Sequence, residues 1–330
     1  MKKYALFVGV DISKNSLDIC LLYADNLKES RHYTIANTPK AIVSFLKKYA
    51  ATEVLFCMED TGVYGIPLCQ ALENADRDYA VVPAIEIKRS KGLHRGKSDK
   101  ADAKDIANYA FTHLHEIKLY HFSEPDMQEL KLLMAEREKL IKAIKLFGTT
   151  EENFGFLDKK ICAALKKNNQ KTVRQLKKQL AEIERLVKEL TAHNENMKEQ
   201  MALLQSVPGI GPQTALLLMS FTRCFTAFDN WRQLACYAGI APFPYQSGIS
   251  IKGKTKVSHY AQKRLKSAIH MASLTTKKFD AEIKQYYERK VAEGKNKMSV
   301  MNAVRCKLVA RAFAVINRGT PFVNTQKFVA

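Results

Sequence analysis

The chain has 330 residues, 46% hydrophobic and 26% charged, a composition that excludes a disordered or fibrous protein and allows two or three domains. Lys and Arg number 53 against 33 Asp and Glu, a net +20, and residues 251–330 carry +14 of it, with 18 basic and 4 acidic side chains. A surplus so placed suits a polyanion, because phosphate neutralisation by Lys and Arg drives sequence-independent nucleic-acid binding.

Tyr4 to Asp11 is an apolar run that stops on one carboxylate. Its β-branched and aromatic residues, with Ile12-Ser13-Lys14-Asn15 behind them, predict a buried strand leading into a turn. A lone carboxylate at the end of a core strand is costly unless a cation or hydrogen bonds compensate it, so Asp11 is either a metal ligand or a turn cap. The same Asp11, with no small-residue cleavage site after it, argues against a secretory signal. Seven scattered cysteines without a C-x-x-C pair exclude a disulfide or zinc framework and point to a reducing cytosol. The longest other apolar run, Ala215 to Met219, is too short to span a bilayer, so a cytoplasmic location without membrane attachment is expected.

Ser16–Tyr23 and Arg31–Ile35 extend the first strand into an antiparallel meander, and Thr38-Pro39 opens a helix to about Tyr49. Glu53 to Glu59 repeats the first design, an apolar strand ending on a carboxylate. A helix over Gly62–Ala75, a strand over Tyr79–Pro83 and a helix over Ser98–His113 complete an α/β layer pattern. In such sheets the ligand crevice lies at the carboxyl ends of strands, where Asp11 and Glu59 fall.

Asp99 and Asp102 are three apart and share one helix face, and Asp105 continues the spacing. An N-cap and an acidic first turn account well for Asp99 and less well for Asp102. Asp11, Glu59, Asp99 and Asp102 form a carboxylate set suited to one or two Mg²⁺ ions, which bind through carboxylates and substrate phosphates and assist phosphoryl displacement. The pattern resembles a RuvC-like nuclease of RNase H fold. An actin-like sugar kinase also opens with a strand ending on Asp, but it wants a Gly- and Thr-rich turn where Ile12-Ser13-Lys14-Asn15 stands.

A helix is expected from Glu124 to about Gly148, and a second from Thr172 to Leu204 carrying a heptad seam through Val173, Leu176, Leu180, Ile183, Val187, Leu190, Asn194, Met197, Met201 and Leu204. Asn194 is the polar seam residue, of the type that fixes register. The seam serves an intrachain hairpin, a dimer contact, or both. Val207-Pro208-Gly209-Ile210-Gly211 follows, an apolar residue flanked by glycines between helices, which suits a helix-hairpin-helix whose Gly209 and Gly211 let the backbone approach a phosphate; a plain tight turn is the alternative. The stretch 237–250 reads as an exposed loop, with Lys252, Lys254, Lys256, Lys263, Arg264 and Lys266 close behind. Ser247 is a nucleophile candidate there if something lowers the cost of deprotonating it, and otherwise a turn residue. Helices near 261–277, 281–292 and 298–318 interleave basic and aromatic residues as a nucleic-acid groove would.

Taken in order, Val8-Gly9-Val10-Asp11, Met58-Glu59-Asp60-Thr61-Gly62-Val63-Tyr64, Lys97-Ser98-Asp99-Lys100-Ala101-Asp102-Ala103, Val207 to Gly211, and Tyr237 to Pro242 leading to Gln246-Ser247-Gly248 resemble the DEDD insertion-sequence transposases of the IS110 and Piv invertase group. The resemblance implies an RNase H-like, RuvC-like α/β catalytic domain over 1–123, a helical coiled-coil linker over 124–204 and a mainly α transposase domain with a helix-hairpin-helix over 205–330. It implies Asp11, Glu59, Asp99 and Asp102 as the tetrad that binds Mg²⁺, with Asp105 secondary, and Ser247 as the nucleophile joined to DNA, with Ser250 as the fallback. It also implies donor and target double-stranded DNA, a guide (bridge) RNA, and a dimer or tetramer in which the acidic set of one subunit serves the Ser of another. The alternatives are a junction-resolving nuclease using metal-activated water and a non-catalytic nucleic-acid-binding protein.

Overall fold

The computed structural model describes residues 4–27, 29–50, 52–90, 98–122, 125–148, 158–247 and 251–324. The chain divides into two compact units, Met1–Phe122 and Ser123–Ala330.

The first unit holds β1 (Leu6–Ile12), β2 (Ser16–Tyr23), β3 (Ser30–Ala36), α1 (Pro39–Lys47), β4 (Val54–Glu59), a 3₁₀ turn over Gly62–Gly65, α2 (Ile66–Asn74), β5 (Tyr79–Val82), α3 (Ala84–Ser90) and α4 (Asp99–Thr112). The strands form one sheet in the order β3-β2-β1-β4-β5, with β1 to β3 an antiparallel meander and β4 and β5 parallel to β1. The central strands read as continuous apolar runs because both faces are covered. Leu6, Val8 and Val10 pack with Phe56, Met58 and the α1 and α2 residues Ile42, Phe45, Leu68 and Leu72. Phe7, Cys20, Leu22, Leu55 and Cys57 face the other way, with Ile106, Ala107 and Ala110 of α4 in the same cluster. Thr38 caps α1 as expected, its side chain accepting from the Ala41 amide at 3.4 Å with Pro39 at the helix start. The helix α3 falls where the sequence suggested no element.

The second unit is mostly helical: α5 (Pro125–Gly148), α6 (Lys159–His193), α7 (Glu195–Ser206), α8 (Pro212–Thr222), α9 (Trp231–Tyr237), a hairpin of β6 (Pro242–Ser247) and β7 (Ile251–Val257), then α10 (Lys263–Phe279), α11 (Ala281–Ala292) and α12 (Lys297–Arg318). One apolar core joins Met127, Leu130 and Met134 of α5 to Val187 of α6, Leu204 of α7, Met219 of α8, Ile269 of α10 and Leu308 of α12. The long helices and the basic helices therefore share a core. Among the described residues no helix is long and apolar enough to cross a membrane.

Two expectations change here. The seam helix is not continuous: Asn194 ends α6 and caps α7, its Oδ1 accepting from the Met197 amide at 3.0 Å while its Nδ2 donates to Asp126 at 2.7 Å. Asn194 is a helix cap tied to α5 rather than a register residue inside a coil. The partner of α6 is α5, which runs antiparallel to it, with Arg137 2.9 Å from Glu184 and Asp126 opposite Asn194. The stretch 237–250, read as a loop, instead carries β6, paired with β7 from Pro242↔Val257 to Ser247↔Ile251. Its signal is the alternation Ile251-Lys252-Gly253-Lys254-Thr255-Lys256-Val257, a period of two that the prolines and glycines before it obscured.

Candidate active site

Strand pairing brings the first carboxylates together. In β1 and β4, Val10 is opposite Met58, so Asp11 and Glu59 are the next residues along two adjacent parallel strands. Both alternate with residues of the inward face under α2 and so belong to the face that α4 covers. Across the antiparallel pair, Asp11 lies opposite Asp18 of β2, and directly paired residues share a face. Gly9 fixes the height of α4 on that face: a Cβ there would overlap the Ala103 carbonyl oxygen and the Ala107 nitrogen and sit 2.9 Å from Ala107 Cα. Just before Ala103, α4 carries Asp102 and, about one turn earlier, Asp99, with Ser98 accepting from the Ala101 amide at 3.2 Å as N-cap.

The electrostatics report this convergence. Burial first, then the charges of Asp102, Asp99, Glu59 and Asp18, push the Asp11 carboxyl above its ordinary range. A carboxylate repelled from four sides is where a divalent cation gives most relief. Among the described residues, no group of three or more His, Cys, Asp or Glu side chains is arranged so that it could hold a metal ion. Carboxylate oxygens are the donor type that hard divalent cations take. Asp105 lies one turn further along α4, half-buried.

Asp18 was not singled out in the sequence. It is 9% exposed, accepts from the Thr34 hydroxyl at 2.8 Å, and has His32 Nε2 at 3.3 Å without hydrogen-bond geometry. A polar residue in an otherwise apolar strand was the available signal, but only the β1–β2 register shows that it faces Asp11.

In the second unit Ser247 is the last residue of β6, paired with Ile251, and its side chain lies outside the described set, as does the whole of Ser250. Lys252 and Lys254 stand in β7 with side chains likewise outside it. Lys256 and Lys263 are exposed. Arg264 is engaged within the fold, 3.0 Å from Glu138 and donating to the Met134 carbonyl at 2.6 Å. Gly209 has a φ of +95° and its missing Cβ makes room for the Ala272 oxygen, which would be 2.7 Å away, while Thr276 Oγ1 donates to the Pro208 carbonyl at 2.9 Å. That glycine is required by the turn and by contact with α10. Gly211 meets no such neighbour and precedes α8 as its N-cap. Phe243 at 48% exposed and Tyr245 at 68% stand on β6 opposite the basic strand, an aromatic surface the sequence reading passed over.

The comparisons with known proteins follow the same order along the chain. Residues 8–147 match an IS110-type DEDD family model described as "Transposase", and residues 201–288 match the "Transposase IS116/IS110/IS902 family". The "Pilin gene-inverting protein" of Moraxella lacunata is 24% identical over 326 residues, covering 96% of this chain and 97% of that protein. The "Insertion element IS110 uncharacterized 43.6 kDa protein" of Streptomyces coelicolor is 30% identical over 118 residues, 36% of this chain and 29% of that protein. A solved structure, "T. thermophilus RuvC in complex with Holliday junction substrate", aligns with a TM-score of 0.27 at 12% identity over 35% of this chain and 99% of that one, too slight a likeness to bear on the fold. With two models of one family matched in order and a full-length relative beside them, the chain belongs to the IS110-type DEDD transposases, enzymes of DNA transposition and recombination.

Proposed function

We propose that the chain cuts and rejoins the DNA of an insertion sequence, with a divalent cation, Mg²⁺ first among candidates, held by Asp11, Glu59, Asp99 and Asp102. The observation that carries this reading is the position of Asp11, whose carboxyl is repelled by Asp102, Asp99, Glu59 and Asp18 from one helix and the two strands that flank its own. The sheet order, an antiparallel meander followed by two parallel strands, supports an RNase H-like, RuvC-like unit. When bound, the cation would lower the charge on a scissile phosphate and help activate the nucleophile.

Ser247 is the proposed nucleophile. Its Oγ loses a proton and forms a bond to phosphorus, the P–O bond to the leaving DNA strand breaks, and the departing oxygen takes up a proton. The phosphoserine ester keeps the energy of the broken phosphodiester for rejoining. Gly211 at the start of α8, in a helix-hairpin-helix with Gly209 shaping its turn, would offer backbone N–H groups to a DNA phosphate. Lys252, Lys254, Lys256 and Lys263 would neutralise phosphates with little regard to sequence. A guide RNA paired with donor and target DNA, acting on a dimer or tetramer, is the reading that the +14 of residues 251–330 favours.

The reading is tested by purifying the chain with its nucleic acid and sequencing the RNA, then assaying strand cleavage of DNA matched to it with and without Mg²⁺. One recurrent RNA species and cation-dependent cleavage lost in Asp102→Asn are expected. Cleavage without any covalent protein product would favour hydrolysis by water, as in a junction-resolving nuclease.

A further inference from the structure

Arg305 stands in the middle of α12 with 8% of its surface exposed. Its two terminal nitrogens donate to neutral groups, one to Asn302 Oδ1 at 3.2 Å and one to His270 Nδ1 at 2.9 Å, and its buried Nε has no hydrogen-bond partner. Among the described residues no carboxylate is paired with it; burial lowers its pKa and only Cys306 opposes that. Other half-buried arginines of the unit are matched to acids: Arg311 lies 2.6 Å from both Asp280 and Glu282, Arg264 lies 3.0 Å from Glu138, and Arg137 lies 2.9 Å from Glu184. Because Arg305 donates to Nδ1, His270 is neutral with its proton on Nε2 and cannot be mistaken for a source of the missing charge. A guanidinium taken out of water without an anion is strongly unfavourable, so a buried one left unpaired points to an anion that arrives from outside.

We propose that Arg305, flanked by Asn302 and His270, is a binding site for a phosphate group of a nucleic-acid backbone. Once its covering groups give way, the unpartnered Nε and the N–H groups beside it would offer the planar fork that matches two phosphate oxygens. Its surroundings tie it to the β6–β7 hairpin: Asn302 Nδ2 donates to the Ile240 carbonyl at 2.6 Å, Cys306 Sγ reaches the same oxygen at 3.5 Å, and Ile240 is two residues before β6. A phosphate on Arg305 is thus read through Asn302 at the root of the hairpin whose first strand ends in Ser247. Phosphate is favoured over a carboxylate ligand by the basic excess of residues 251–330, which draws polyanions.

This inference rests on the nucleic-acid reading of the chain, but its first test needs neither DNA nor cleavage. Thermal unfolding of the full chain is followed in inorganic phosphate and in chloride of equal ionic strength, for the native protein and for Arg305→Met. The native protein is expected to gain stability with phosphate, and Arg305→Met to need at least about tenfold more phosphate for the same gain, as loss of a bidentate contact implies. A phosphate response equal in the two proteins, or absent from both, overturns the proposal. If Arg305→Met does not fold, Arg305→Lys, which keeps the charge and loses the fork, is held to the same criterion. A second arm measures the salt dependence of binding to random duplex DNA and to random single-stranded RNA: the slope of log K against log salt is expected to fall by about 1 with the nucleic acid that supplies the phosphate. Unchanged slopes with both overturn the assignment to nucleic acid. Failure of either arm leaves the Ser247 chemistry untouched, and failure of that chemistry leaves the phosphate response standing.

Discussion

Gly9 of β1 lies directly against Ala103 of α4, so close that a side chain at position 9 would overlap the Ala103 carbonyl. This one contact sets where the acidic turn of α4 meets the sheet. With Ala103 over Gly9, Asp102 is the preceding residue of the helix, Asp99 lies about one turn earlier, and Asp11 comes two residues later on the strand. Glycine there is a requirement of the carboxylate set as much as of the packing.

Gly9→Ala is therefore expected to cost more than an ordinary core overpacking, which runs at about 1–3 kcal/mol, because the obstacle is helix backbone that cannot rotate aside. Urea unfolding measures the loss. A variant as stable as the native protein would mean that α4 is free to lift from β1.

Asp11 makes stability depend on pH in a definite direction. Its folded pKa is raised above the ordinary value of 3.8, so the native state binds the proton more tightly than the unfolded chain. The favourable contribution is complete below that value and is lost as pH rises through the raised one. In chelator, Asp11→Asn should unfold at a higher temperature than the native protein near neutral pH, and the difference should shrink as the pH falls towards about 4. Added Mg²⁺ should stabilise the native protein more than the variant. A native protein less sensitive to Mg²⁺ than Asp11→Asn would contradict the ligand assignment.

Asn194→Ala removes an N-cap and the partner of Asp126 in one step. A cap is worth about 1 kcal/mol, and the loss of the Asp126 bond adds to that. Because Asn194 closes one helix and opens the next, the change should lower the unfolding midpoint and leave the oligomeric state as it was. Sedimentation at matched concentration checks the second part.

Lys263 and Arg264 are neighbours with different work. Lys263 is exposed at the start of α10, whereas Arg264 bridges to Glu138 and the Met134 carbonyl of α5. Lys263→Ala should reduce the salt slope of nucleic-acid binding by about 1 with unchanged stability, while Arg264→Ala should lower the melting temperature. Equal effects of the two on binding alone would place Arg264 at the nucleic-acid surface.

The acidic set was largely legible because strands buried on both faces leave few reasons for a carboxylate, so Asp11 and Glu59 stood out at their ends. Asp18 did not, since its importance comes from the register that sets it opposite Asp11, which is a relation between strands and not a local pattern. The break at Asn194 was hidden for the opposite reason: the apolar spacing of three and four runs straight through it, while the capping bond to Met197 depends on the backbone turn. At 242–257 Pro and Gly spoke for a loop and the alternation of Lys with Ile, Thr and Val spoke for a strand. The pairing with β7 decided it. Arg305 gave no sign at all, because a missing counter-ion becomes visible only once the neighbours are known.

The central claim is a serine joined covalently to DNA. Labelled DNA is incubated with the chain, its co-purified RNA and Mg²⁺, and resolved on a denaturing gel beside Ser247→Ala and Ser250→Ala. A protein–DNA adduct is expected from the native chain and from Ser250→Ala and none from Ser247→Ala. An adduct that persists in Ser247→Ala, or that disappears only in Ser250→Ala, would contradict it.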